Sequence, residues 1–108
     1  MPSTTEVSLG GVDEFPDGEM RHIEHMGYDL LLVKLDDRFY ALDDACTVSW
    51  AMLSAGTLDR ATKAVVCGQC KSSFDLETGK PKSGPAKFPL TVYEAHVING
   101  EVIVYFVY

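Results

Sequence analysis

Residues 67–70 read Cys-Gly-Gln-Cys, a spacing at which one short stretch of chain wraps a metal ion with two thiolates. The remaining cysteine is Cys46, so the chain holds three in all. An odd number excludes a complete disulfide framework. The N-terminal MPSTTEVSLG has neither the basic start nor the apolar run of an export signal, so the expectation is a cytoplasmic protein with reduced thiols. In that setting a C-x-x-C is more often a metal or redox pair than a structural bridge. The residues alone leave a second reading open, in which the pair is a metal-free dithiol and Cys46 a small buried hydrophobe.

The elements that must position these thiols are strands. No segment of helical length keeps an apolar i, i+3, i+4, i+7 pattern free of glycine, proline or aspartate, whereas short β-type runs recur. They fall at residues 5–9, 20–26, 29–35, 38–42, 64–66 and 73–76, with Gly27 turning the second into the third. Residues 90–98 and 101–108 flank Asn99-Gly100, the dipeptide suited to a type I′ turn because both central residues take positive φ. Between them and the thiols, KPKSGPAKFP carries three prolines and reads as an ordered surface loop or crossover. Cys46 then lies in one loop after the RFYAL strand, and Cys67 and Cys70 in a second loop after Val65-Val66. Two loops side by side on a β scaffold are a geometry for a metal site.

At 108 residues, 46% of them apolar, the chain is one globular domain with no apolar run of membrane-spanning length. A formal charge of −7 repels phosphate backbones and anionic headgroups, which argues against nucleic acid and membrane surfaces and for a partner with a basic face. The acidic runs at residues 13–19 and at Asp36, Asp37, Asp43 and Asp44 read as turn and solvent-facing residues. No Ser/His/Asp set or phosphate loop is present, so an enzyme is disfavoured. Thiol–disulfide activity at the C-x-x-C is the one chemistry of that class left.

Taken together, RFYALDDACT, LSAGTLDR, VVCGQCKSSFDLETGKP and GPAKFPLTVYEAHVINGEVIV resemble, in order and spacing, the Rieske-type ferredoxins, over roughly residues 29–104. The resemblance implies an all-β, Rieske-like antiparallel β-sandwich or barrel. Its base comprises residues 1–44 and 76–108, and its small metal-binding lobe residues 45–75. It also implies a one-electron carrier serving a reductase or an oxygenase. The family pattern is C-x-H in the first loop and C-x-x-H in the second, two cysteines holding one iron and two histidines the other. Here the loops read Cys46-Thr47-Val48 and Cys67-Gly68-Gln69-Cys70. Cys46 and Cys67 match the cysteine ligands, Cys70 stands at one histidine position, and Val48 at the other can ligate nothing.

Two arrangements meet this departure. A 2Fe-2S cluster can keep the three cysteines and take a fourth oxygen, nitrogen or solvent ligand. Alternatively, the loops can close on a single ion, iron or zinc. The first loop is then a C-x-x-S and Ser49 the candidate fourth ligand, a rubredoxin-like double knuckle with one sulfur exchanged for a hydroxyl. A cofactor-free or zinc-binding scaffold acting as an interaction module is the rival. Ser72 and Phe74 match family positions near the cluster sulfurs, where a hydroxyl donor raises the potential. Trp50 and Met52 read as core packing, with shielding of the site as the alternative. His22, His25 and His96 lie outside both loops and are expected to be non-ligands.

Overall fold

The run Tyr-Asp-Leu-Leu-Leu-Val-Lys-Leu at residues 28–35 is too uniformly apolar for a strand with one wet face, and the computed structural model shows why. It describes residues 4–25, 27–36 and 38–107. The strands are β1 (Thr4–Gly11), β2 (Met20–His25), β3 (Tyr28–Leu35), β4 (Arg38–Asp43), β5 (Thr57–Asp59), β6 (Ala64–Val66), β7 (Ser73–Asp75), β8 (Pro81–Ser83), β9 (Val92–Ile98) and β10 (Glu101–Val107). Single-turn 3₁₀ helices occupy Val12–Glu14 and Leu53–Ala55. Every pairing is antiparallel, in a six-stranded sheet of order β1-β10-β9-β4-β3-β2 and a four-stranded sheet of order β5-β6-β7-β8. No helix among the described residues is long and apolar enough to cross a membrane.

The large sheet consists of two three-stranded halves that meet at β4 and β9, where Ala41↔Tyr93 and Leu42↔Val92 pair and the Asp43 N–H donates to Thr91 O at 3.0 Å. It curls, and its inner face buries Leu30, Leu32, Phe39, Ala41, Val102 and Val104 together with Phe15. Side chains alternate across a strand, so Leu31, Val33 and Leu35 of β3 and Tyr40 and Leu42 of β4 point the other way. They form a second core with Leu53, Val65, Phe74, Leu76, Leu90, Cys46 and Cys67. Strand β3 is thus apolar on both faces because one faces the base core and the other the small sheet.

The β9–β10 hairpin forms as expected, with Asn99 at φ 51° and Gly100 at φ 77°. A Cβ on Gly100 would meet nothing within 4 Å, so its replacement tests backbone conformation alone. Gly100→Ala should cost ~1–2 kcal/mol, measured as a shift in urea midpoint at unchanged slope. A loss below a few tenths would mean that the turn relaxes to another type.

The structure departs from the sequence reading in several places. Strands β5 and β8 are three residues each and too short and polar to show a period. Pro81 opens β8 at the edge of its sheet, where a missing N–H is tolerated. Strand β8 lies within the stretch expected to be loop. Met26, Asp37 and Tyr108 lie outside the described residues. Asp44, expected to face solvent, is 1% exposed. Its carboxylate accepts the Ser54 N–H at 2.7 Å and the Ser54 hydroxyl at 2.6 Å, which fixes the turn at Leu53–Ala55 and offsets part of the cost of burial. Burial nonetheless pushes this carboxyl up from its ordinary value.

Candidate metal centre

The loop after β4 and the loop after β6 share one backbone pattern. In the first, the Cys46 N–H donates to Ala51 O at 3.0 Å and the Trp50 N–H donates back to Cys46 O at 3.0 Å. In the second, Cys67 N–H donates to Ser72 O at 2.8 Å and Lys71 N–H to Cys67 O at 3.1 Å. To close these turns, the fifth residue of each takes a left-handed conformation, Trp50 at φ 62° and Lys71 at φ 63°. Few non-glycine residues adopt it, and neither position announces itself in the sequence. A residue so placed directs the backbone away from the loop, which keeps the first and fourth side chains on the inner side.

Those side chains converge. The sulfurs of Cys46, Cys67 and Cys70 all lie within 4.8 Å of one another, all three as free thiols. Cys46 and Cys67 are fully buried and Cys70 half-buried, so Cys70 is the sulfur nearest solvent. Cys46 Sγ lies 3.5 Å from Cys70 Sγ, and Ser49 Oγ 3.3 Å from Cys67 Sγ. Among the described residues this is the one group of three or more potential metal ligands. His22 pairs instead with Asp29 at 2.9 Å and His96 with Glu94 at 3.5 Å. The His25 side chain lies outside the described residues.

The surroundings favour thiolates. Burial opposes charge on Cys67, but Ser49 and the backbone amides of Cys70 and Gln69 donate to its sulfur and hold the thiol below its ordinary value. At Cys70 the Ser72 hydroxyl, 3.2 Å away, is the largest influence, the Ser72 amide adds to it, and the thiol falls from 9.0 to about 6. Ser72 is buried, and its oxygen accepts the Ala86 N–H at 3.0 Å and the Cys70 thiol proton at 3.2 Å; once Cys70 ionises, the hydroxyl can turn to donate to the thiolate and so stabilise it. A thiol depressed in the folded state stabilises the fold at pH above its ordinary value, and that contribution fades as pH falls toward the folded value. In the metal-free chain, alkylation of Cys70 should therefore reach half its maximal rate at a pH of about 6. Ser72→Ala should move the profile upward, as read by mass spectrometry of iodoacetamide-treated samples.

A third segment, residues 84–88, straps over the pair. Gly84, at φ +88°, sits where a Cβ would come within 2.6 Å of Ser72 Cα, and the Thr47 hydroxyl donates to Phe88 O at 2.9 Å. Neither contact was legible in the sequence. The rim is apolar: Val48, Trp50, Met52 and Phe88 are exposed, Trp50 by 75%. The core-packing reading of Trp50 and Met52 is thereby corrected. Both lie on a loop whose inward side is already filled by Cys46 and Ser49, so their bulk goes outward.

A curled antiparallel base and a small second sheet, with one thiol-bearing loop leaving β4 of the first and another leaving β6 of the second, define an all-β scaffold that gathers three sulfurs at one end. The chain belongs to the Rieske [2Fe-2S] domain family, whose profile matches residues 5–94. It is 40% identical over 88 residues to ferredoxin CarAc of Metapseudomonas resinovorans, covering 81% of this chain and 80% of that protein. It is 39% identical over 94 residues to the 3-phenylpropionate/cinnamic acid dioxygenase ferredoxin subunit of Photorhabdus laumondii, covering 86% and 87%. The ferredoxin of carbazole 1,9a-dioxygenase from Nocardioides aromaticivorans superposes with a TM-score of 0.89 at 25% identity, over 93% of this chain and 96% of that one. A chain in a complex of reduced oxygenase and oxidized ferredoxin in carbazole 1,9a-dioxygenase gives 0.86 at 34% identity, over 92% and 91%.

The donor set does not fit a cluster held by two cysteines and two histidines, because the group of potential ligands contains cysteine alone. Three thiolates, supported by hydroxyl and amide donors, fit iron bound through sulfur. The family match gives the zinc alternative no support.

Proposed function

We propose that this chain is a one-electron carrier of a ferredoxin-dependent oxygenase system, with iron held by Cys46, Cys67 and Cys70. The observation that carries this reading is the convergence of the three sulfurs within 4.8 Å at the loop tips of a Rieske fold. Thiolate-bound iron supplies reversible one-electron exchange. The protein's part is to bury two sulfurs, leave Cys70 closest to the surface, and direct the Ser72 hydroxyl at it. Valine and cysteine at positions 48 and 70 take the places of the family's histidines. Iron and acid-labile sulfide content per chain separates a modified two-iron cluster from a single ion.

The relatives' names include dioxygenase ferredoxin subunits and a ferredoxin–oxygenase complex, which supports an oxygenase or its reductase as partner. Contact through the rim brings that partner nearest the sulfurs. Residues 45–56, 67–72 and 84–88 contain no carboxylate and two lysines, Lys71 and Lys87. The acidic net charge therefore does not extend to this rim, and Trp50, Val48, Met52 and Phe88 fit an apolar partner surface better than the basic one the net charge suggested.

Anionic cysteine in place of neutral histidine adds negative charge, so the reduction potential should lie below that of a histidine-ligated Rieske centre. It should also stay constant across the pH range in which imidazoles titrate. Protein-film voltammetry of the iron-loaded chain measures both. A potential as high as a Rieske centre's, falling as pH rises through that range, would refute the ligand assignment.

A further inference from the structure

We propose that the two loops hold a single metal ion between them, with Ser49 Oγ as the fourth ligand beside the sulfurs of Cys46, Cys67 and Cys70. This rests on the three cysteines being ligands and goes further, fixing the ion count and the identity of the remaining donor.

The argument comes from the equivalence of the loops. Both close through hydrogen bonds at the same relative positions, and Trp50 and Lys71 share one unusual backbone conformation. The correspondence extends to the donors aimed inward. The Val48 N–H donates to Cys46 Sγ at 3.5 Å, and the amide at the same place in the second loop, that of Gln69, donates to the Cys67 sulfur. The Ala51 N–H donates to Ser49 Oγ at 3.3 Å, and the Ser72 amide donates to the Cys70 sulfur. Loop position one is therefore Cys46 or Cys67, and position four is Ser49 or Cys70. Whatever corner Cys70 supplies from one side, Ser49 supplies from the other.

Distances agree with that equivalence. Position one of each loop faces position four of the opposite loop, Cys46 Sγ to Cys70 Sγ at 3.5 Å and Cys67 Sγ to Ser49 Oγ at 3.3 Å. A tetrahedron with metal–sulfur bonds of ~2.3 Å and a metal–oxygen bond of ~2.1 Å has edges of ~3.8 Å between sulfurs and ~3.6 Å between oxygen and sulfur. The observed pairs are close to these edges. A two-iron core interposes a second iron and two sulfides between one ligand pair and the other. Three sulfurs within 4.8 Å of one another leave that core little room. On binding, the thiols and the serine hydroxyl release protons to solvent, so affinity rises with pH.

The test titrates metal-free chain anaerobically with Co(II), whose visible bands report tetrahedral geometry and whose thiolate charge-transfer intensity reports sulfur count. One tetrahedral Co(II) per chain is expected. Ser49→Cys should raise the charge-transfer intensity by about a third, as three thiolates become four. Ser49→Ala should weaken binding ~10-fold or more while leaving that intensity per bound ion unchanged, and far-UV circular dichroism of the metal-free variants checks the fold. Ser49→Ala binding as tightly as the parent would overturn the proposal, as would two irons with two acid-labile sulfides in the iron-loaded chain. Either of these leaves the thiolate electron carrier standing. A parent chain that binds neither cobalt nor iron removes both.

Discussion

Cys67→Ser should strip the chain of iron and of its visible colour while leaving the β-fold recognisable by circular dichroism. Cys67 is fully buried and is the sulfur toward which Ser49 and the amides of Gln69 and Cys70 are turned. Serine nearly matches the volume of cysteine, so packing with Val65 and Phe74 survives. A serine hydroxyl does not ionise as a thiol does, and the anionic soft donor that thiolate-seeking metals require is gone. Changes to groups that merely orient a ligand lower metal affinity by ~10–100-fold, and loss of a ligand itself should exceed that range. Metal content per purified chain and the absorption spectrum decide the matter. Parental iron content in Cys67→Ser would show that this sulfur is not a ligand.

Phe74→Ala is the substitution expected to destabilise the protein most. The ring is 0% exposed and sits in the core that joins Leu31, Val33, Leu42 and Leu53 to Cys46 and Cys67. Removing it from a position enclosed on every side costs ~3–5 kcal/mol in lost burial and residual cavity. Against a total of ~5–15 kcal/mol for a domain of this size, that is a large share. Thermal and urea unfolding of the metal-free chain should show the midpoint falling by more than ~10 °C. Phe74→Leu, which refills most of the space, should lose far less. Equal effects of the two would mean that ring shape rather than volume is what the core requires. The metal reading predicts a further distinction: iron loading should restore part of the stability lost in Phe74→Ala, because binding to the folded state alone adds to folding free energy.

The parts of this structure legible in the sequence are those with a local cause. Asn99-Gly100 specifies its turn through two residues that accept positive φ, and Ala64–Val66 reads as a strand because β-branched residues run directly into Cys67. The C-x-x-C marks by its spacing two side chains that the fold brings together with Cys46. What escaped has its cause in tertiary packing. Asp44 is buried because Ser54, ten positions on, returns to cap it. Trp50 is exposed because the chain must turn at Cys46, and neither is written in adjacent residues. Strand β8 forms because Ser73 and Phe74 are there to pair with it. Its own sequence, Pro-Lys-Ser, argues against a strand. The equivalence of Ser49 and Cys70 lay between these cases. The matching spacing could be read from the chain, but the matching backbone could be seen only once both loops were folded.

A strand greased on both sides also removes an option. Because β3 is a party wall shared by base and lobe, with Cys46 and Cys67 set into the lobe side of it, the thiol-bearing part cannot be lifted out as a transplantable module. An excised lobe would lose its floor, and the truncated base would present Leu31, Val33 and Leu35 to water. For the same reason, oxidative damage to the sulfurs would strike the masonry of the whole domain as well as its electrical function.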